Sequence, residues 1–143
     1  MDKYDCLKLQ NQLCFPLYVC SKEIVRKYKP FLDEVDLTYT QYITMMALWE
    51  KGECNVKELG ECVYLDSGTL TPLLKKLEAK ELVERKRSKE DERNLVIALT
   101  PKGLKLKDKA IEIPAKMGGC VNIEPEDAAV LKKLLDKVLE GLK

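Results

Sequence analysis

Histidine is absent from the 143-residue chain. That removes the commonest general base, the usual partner of a serine or cysteine nucleophile and the commonest zinc ligand, so an enzyme is disfavoured and no metal or cofactor is expected. The six cysteines, Cys6, Cys14, Cys20, Cys54, Cys62 and Cys120, include no C-x-x-C pair. Their spacing supports neither a zinc site nor a thioredoxin-like motif. No stretch of the chain approaches 18 uninterrupted apolar residues, and the opening MDKYDCLKLQ is too polar for the core of a signal peptide. A cytoplasmic location is therefore expected. There a disulfide scaffold is not expected, and most of the cysteines are expected as small buried hydrophobes. Repeats and low-complexity tracts are also missing.

The length suits one domain spanning 1–143. Charged residues make up 34%, apolar residues 45%, and the net charge is only +1. Nothing global suggests disorder or nucleic acid, so any basic surface must be local. Between Leu7 and Tyr28, Leu13, Leu17, Cys20, Ile24 and Tyr28 follow one face of a long helix that Lys29-Pro30 ends, with a kink expected near Cys14 because Pro16 sits inside the pattern. A second helix is predicted from Thr38 to Glu50, closed by Lys51-Gly52. Asn55 caps a short helix carrying Val56, Leu59 and Val63, and Tyr64-Leu65-Asp66 forms the turn before a longer one. That order is a helix-turn-helix.

In the longer helix Leu70, Leu73, Leu74 and Leu77 claim the core, leaving Ser67, Gly68, Thr69, Thr71, Pro72, Lys75 and Lys76 outward. Pro72 suits a helix whose first turn is irregular or begins nearer Thr69. Small hydroxylated residues followed by lysines fit a DNA major groove, and they equally describe an ordinary amphipathic helix with a solvated basic face. The next segment separates these readings. The period changes to two, with strands from Val83 to Arg87 and through Leu95, Ile97 and Leu99, around an apolar-free tip at 88–92. Lys75 to Arg93 holds eight Lys or Arg against six acids, and Arg85, Lys86, Arg87, Lys89 and Arg93 cluster on or beside this hairpin. A basic hairpin after a helix-turn-helix is a wing, so the fold class is mainly α with a small β-hairpin, a winged helix-turn-helix whose DNA-reading part is about 55–99. Thr100-Pro101 opens a further helix, interrupted by Pro114 and ending at Gly118-Gly119. A last helix follows Glu124-Pro125-Glu126-Asp127, with Leu131, Leu134, Leu135, Val138 and Leu142 along one side.

The run Leu65-Asp66-Ser67-Gly68-Thr69-Leu70-Thr71-Pro72-Leu73-Leu74-Lys75-Lys76-Leu77-Glu78, with Arg85-Lys86-Arg87 and Asp91-Glu92-Arg93-Asn94, closely resembles the multiple-antibiotic-resistance (MarR) regulator family. Asn11-Gln12-Leu13-Cys14-Phe15, Tyr18, Tyr28-Lys29-Pro30 and Thr38-Tyr39-Thr40-Gln41-Tyr42 narrow the resemblance to its organic-hydroperoxide-sensing repressors, over essentially the whole chain. The resemblance implies a homodimer built from helices at about 7–29 and 101–142, with a recognition helix in the major groove of a pseudo-palindromic operator. It implies a wing arginine, here Arg93 held by Asp91, in the minor groove. It also makes Cys14 the peroxide-reactive cysteine, with Tyr28 and Tyr39 bonding its thiolate across the dimer. Cys120 follows Gly118-Gly119, where two-cysteine members carry a resolving cysteine. The alternative reading of Cys120 is a buried cysteine at a helix junction. Pro16 departs from the family, which has a good helix former there.

A thiolate oxidised to a sulfenic acid is short-lived unless a second thiol condenses with it, which is the chemistry such a pair performs. The function implied is a repressor that binds operator DNA when reduced and leaves it when organic hydroperoxide oxidises Cys14. Competing readings are a regulator of the same fold released by a small aromatic or anionic ligand, with Cys14 structural; a thiol peroxidase using Cys14 and Cys120; and an adaptor that has lost DNA binding.

Overall fold

Capping side chains set where the helices of the computed structural model begin. The model describes residues 2–87 and 94–143. In helix α2 (Tyr39–Lys51) the Thr38 hydroxyl accepts from the Gln41 N–H at 3.3 Å while the Gln41 carboxamide oxygen accepts from the Thr38 N–H at 3.1 Å. Two orphan donors are satisfied reciprocally. Gly52 then ends the helix at φ 81°, a conformation that favours glycine. Asn55 accepts from the Glu58 N–H at 2.7 Å to start α3 (Val56–Val63), and left-handed Tyr64 ends it at φ 57°. Asp66 accepts from the Thr69 N–H at 2.8 Å to start α4 (Ser67–Ala79). Thr100 accepts from the Gly103 N–H at 3.0 Å at the head of α5 (Pro101–Ala110), and α6 (Ile113–Gly118) and α7 (Pro125–Gly141) complete the helices after it.

Three strands, β1 (Glu53–Asn55), β2 (Val83–Arg87) and β3 (Leu95–Leu99), form an antiparallel sheet in the order β1-β3-β2. Val83 pairs with Leu99 and Arg87 with Leu95, which makes β2 and β3 the arms of the expected wing. The tip, with Lys89, Asp91 and Arg93, lies outside the described residues. Strand β1 was not foreseen: at three residues, pairing Cys54 with Ile97, it is too short to show a period.

The first helix differs from expectation. Residues Asp5–Leu7 and Leu9–Asn11 form separate 3-10 turns, and α1 runs from Cys14 to Asp33. Side-chain amides take the carbonyls that a continuous helix would use: Asn11 donates to the Asp5 carbonyl at 2.8 Å, and Gln12 to those of Cys6 and Lys8 at 2.7 and 2.8 Å. Pro16 therefore falls in the first turn of α1, where its missing N–H costs nothing and no kink is required. Pro30 lies inside the helix instead of ending it; the next turn is retained because Leu32 is buried and Phe31 packs against the core. Likewise α4 begins at Ser67, ahead of Pro72, with Asp66 as its cap and Leu70 and Leu73 buried. The cysteines also depart from the reading as core residues. Only Cys54 is buried in the chain, Cys120 is half-buried, and Cys6, Cys14, Cys20 and Cys62 are exposed.

Met45 and Leu48 of α2 stand at the centre of the core, with Leu59 from α3, Leu70, Leu74 and Leu77 from α4, and Val83 and Ile97 from the sheet, each at 2% exposure or less. Trp49 donates its indole N–H to the Gly103 carbonyl at 2.9 Å, tying α2 to α5. Gly103 itself passes so close to the connection before β2 that an added Cβ would meet the Leu82 carbonyl oxygen at 2.0 Å. That oxygen already accepts from the Thr100 N–H at 3.1 Å. By contrast, α7 buries none of its residues, and Val130, Leu131, Leu134, Val138 and Leu142 are exposed along it.

Gly103→Ala should destabilise the chain by about 1–3 kcal/mol, because the backbone of two elements must separate to admit one methyl group. Urea unfolding monitored by Trp49 fluorescence checks it: an unchanged midpoint would show that the close approach is not maintained in solution.

Candidate nucleic-acid interface and thiol site

Burial of Leu70, Leu73, Leu74 and Leu77 turns the opposite face of α4 to solvent. Ser67, Thr69, Thr71, Pro72, Lys75 and Lys76 are all exposed there. The first turns carry only small side chains, so the helix backbone can approach a groove closely, while the lysines one to two turns later are long enough to reach a phosphate. The turn ahead of α4 is held tightly. Leu65 donates its N–H to the Gly60 carbonyl at 3.0 Å, and a Cβ on Gly60 would lie 2.8 Å from the Leu65 carbonyl oxygen. Glycine is what lets α3 and the turn meet.

On the wing, Lys86 is exposed and lies 3.5 Å from Glu84. Arg85 is placed differently from the sequence reading. Its guanidinium Nε donates to the Glu78 carboxylate at 3.1 Å, and its side chain is only 27% exposed. It braces β2 against the C-terminal turn of α4 and so positions the wing relative to that helix. Nothing in the spacing identified that partnership, because the two residues lie on elements of different period.

Cys14 is the first residue of α1 and is exposed. The unpaired N–H groups of that first turn carry partial positive charge. Tyr28, near the other end of the same helix, meets Tyr39 of α2 with ring centroids 5.0 Å apart, and both meet Tyr42, at 5.9 and 6.3 Å. The structure thus brings together the two tyrosines singled out in the sequence and adds a third. Tyr42 is 3% exposed. Burial, reinforced by Tyr39, pushes the Tyr28 phenol above its ordinary pKa, and burial with Tyr28 and Tyr39 does the same for Tyr42. Both stay protonated and able to donate across the neutral range.

The same chain does not bring Cys14 to these tyrosines. Fourteen helical residues separate Cys14 from Tyr28, about 21 Å of rise. Cys120 follows α6, its N–H bonded to the Met117 carbonyl at 2.9 Å. Lys116 of α6 is pinned to Glu34 at 3.1 Å and lies 5.9 Å above the Phe31 ring, at the far end of α1 from Cys14. Within one chain the two thiols therefore stand well beyond the ~7 Å Cα separation that a disulfide tolerates.

Residues 26–110 match the family model described as transcriptional regulator SarA/Rot. The chain is 49% identical over 141 residues to the organic hydroperoxide resistance transcriptional regulator of Bacillus subtilis, covering 99% of this chain and 96% of that protein. It is 53% identical over 121 residues to the HTH-type transcriptional regulator SarZ of Staphylococcus aureus, covering 85% and 82%. Among solved structures, reduced AbfR bound to DNA, a Staphylococcus epidermidis protein, superimposes with a TM-score of 0.80 at 31% identity, covering 99% of this chain and all of that one. The disulfide-formed AbfR superimposes less closely, with a TM-score of 0.67 at 32% identity over 96% of each chain.

The cap on α4 titrates in the acid range. The Thr69 backbone N–H holds the Asp66 carboxyl below its ordinary pKa. A depressed folded-state pKa contributes stability that is present above about pH 4 and fades as pH falls through the folded value. Asp66→Asn keeps an acceptor but not the charge. Urea midpoints of the two proteins should therefore converge on acidification between about pH 5 and pH 2. A difference that does not change with pH would mean that the carboxylate is not what caps α4.

Proposed function

The chain belongs to the SarA/Rot family of transcriptional regulators, of the MarR-type winged-helix organic hydroperoxide resistance group, and on that premise we propose that it is a homodimeric, non-enzymatic cytoplasmic repressor whose switch is Cys14. The observation that carries this reading is the separation of Cys14 from the Tyr28–Tyr39 pair within one chain. The thiol and its hydrogen-bond donors can form one site only if a second copy supplies one of them. The exposed apolar faces of α1 and α7 give that second copy a surface to cover, with Leu13, Phe15 and Tyr18 on one and Leu131, Leu134 and Val138 on the other. Burying them removes apolar surface from water on a scale that a soluble monomer rarely leaves open. No helix among the described residues is long and apolar enough to cross a membrane.

In the reduced dimer the two α4 helices enter successive major grooves of a pseudo-palindromic operator. Ser67, Thr69, Thr71 and Pro72 lie against base edges, Lys75, Lys76, Lys86 and Lys89 lie on phosphates, and Arg93, oriented by Asp91, enters the minor groove. On oxidation the Cys14 thiolate attacks the distal oxygen of an organic hydroperoxide. The O–O bond breaks, the alcohol leaves after taking up a proton, and Cys14 becomes a sulfenic acid. Cys120 of the other subunit then attacks that sulfur as a thiolate, the S–O bond breaks, and hydroxide leaves as water, forming an intersubunit disulfide. Bringing those sulfurs into bonding distance moves α1 or α6 and re-spaces the recognition helices.

Reduced protein should protect an inverted repeat with half-sites about one helical turn apart, and its affinity should fall by orders of magnitude between roughly 50 and 200 mM salt. A stoichiometric organic hydroperoxide should release it, and a non-reducing gel should then show a cross-linked dimer. Cys14→Ser protein that still leaves DNA on peroxide treatment would refute the switch, and Cys120→Ser protein that still cross-links would refute the resolving role. Arg93→Ala should weaken binding severely without affecting folding, and Lys should restore only part of it, since a narrow minor groove favours guanidinium.

A further inference from the structure

Between the tyrosine cluster and the recognition helix lies a junction that neither DNA contact nor thiol chemistry uses. Lys80 is the C-cap residue of α4. Its ammonium donates to the backbone carbonyl of Asp36 and, at 3.2 Å, to the carboxamide oxygen of Gln41; the Asp36 carboxylate is 3.7 Å away. The same Gln41 oxygen accepts from the Thr38 N–H in the capping box of α2. The residue after Thr38 is Tyr39, the first of α2, and Tyr42 follows one turn later. Gln41 is only 4% exposed. One buried oxygen therefore joins the first turn of the helix carrying two of the cluster tyrosines to the C-cap of the helix proposed to read DNA. Asp36 holds a left-handed backbone at φ 53°, which fixes its carbonyl in the connection between α1 and α2.

We infer that Lys80 is a positioning residue that couples the redox state of Cys14 to the placement of α4, through Gln41 and the first turn of α2. The inference rests on the redox-sensing reading above. Tyr28 and Tyr39 are in ring contact and Tyr39 is the first residue of α2, so a change in what these phenols bond on oxidation acts directly on the first turn of α2. A hydrogen bond from an ammonium to a buried amide oxygen is among the stronger ones and expensive to leave unmade. A displaced Gln41 therefore takes Lys80 with it or releases it, and either outcome moves the C-terminal turn of α4. Lys80 is not a DNA contact in this scheme. Its carbonyl accepts from Lys102 of α5 at 3.0 Å, which ties the same turn to the helix leading to α6 and Cys120.

The test measures operator affinity of full-length protein in the reduced and hydroperoxide-treated states, for wild type, Lys80→Met and Gln41→Glu. Met keeps the length of the side chain and removes its donors. Glu keeps an oxygen that accepts from both Thr38 and Lys80. Lys80→Met should retain reduced-state affinity within a few-fold and form the same cross-link, while the ratio of reduced to oxidised affinity falls at least fivefold below that of wild type, the lower end of ordinary allosteric coupling. Gln41→Glu should keep the wild-type ratio. Were Lys80 merely structural, both affinities would fall together and the ratio would stand; that result, or an unchanged ratio in a well-folded Lys80→Met, overturns the inference. Wild-type protein that stays on DNA after oxidation overturns the redox reading itself, a distinguishable failure.

Discussion

The burial of four leucines on one side of a thirteen-residue helix governs the rest of the molecule. Leu70, Leu73, Leu74 and Leu77 are at most 7% exposed, and removing their surface from water stabilises the fold by roughly 1.5–3 kcal/mol for each side chain fully buried. A helix so committed has no freedom to rotate. Its opposite face must be the one with Thr69, Thr71, Lys75 and Lys76, and its ends must lie where Leu59 and Met45 leave room. The wing inherits that placement through the contact of Arg85 with Glu78. Specificity for DNA, in such a scaffold, is a consequence of which residues the core has no use for.

The second constraint is the stiffness of α1. Its twenty residues span about 30 Å, with Cys14 at one end and Phe31, against which α6 is pinned, near the other. A rod of that length keeps the Cys14 thiol apart from the Tyr28 and Tyr39 phenols of its own chain. The exposed apolar residues of α1 and α7 then have a double role. In the proposed dimer they supply the surface that a second copy covers, and the proposed chemistry then depends on that copy's position.

Much of this was legible in the residues alone. Asn55 and Thr100 each occupy the cap that their position before an apolar-periodic run implied, because a short oxygen-bearing side chain one residue ahead of a helix has few better options than its own first turn. The alternation of Leu95, Ile97 and Leu99 against Val83 to Arg87 became a paired hairpin for similarly local reasons. What was not legible depended on distant partners. Tyr42 is only the end of a sequence motif until Tyr28 arrives beside it from another helix, and Arg85 is only one of the hairpin's clustered cations until Glu78 is seen within reach. The prolines misled in a different way. Their effect is set by distance from a helix start, and the start of α1 was moved seven residues by the amides of Asn11 and Gln12, which no periodicity records. The cysteines misled because ordinary burial statistics describe completed assemblies, whereas the single chain leaves Cys14 and Cys20 exposed.

The placement of Gln41 bears on how a small chemical change could travel. Among the polar side chains of the described residues, Gln41 and Thr44 are the buried ones, both on α2. Thr44 turns its hydroxyl back to the Thr40 carbonyl at 2.8 Å and so closes on its own helix. Gln41 instead divides its oxygen between the N-cap of its own helix and Lys80 at the end of α4. A buried group bonded within one element reports nothing about its neighbours, since it moves with that element as a unit. A buried group bonded across elements has two stable outcomes, satisfied or broken, and little between, because the low-dielectric interior penalises the intermediate geometry. Packed interfaces convert sub-ångström changes into discrete shifts for the same reason. Among the described residues, this buried carboxamide joins the first turn of α2, beside the tyrosine cluster, to the end of α4, where a two-state contact transmits more than a continuous one.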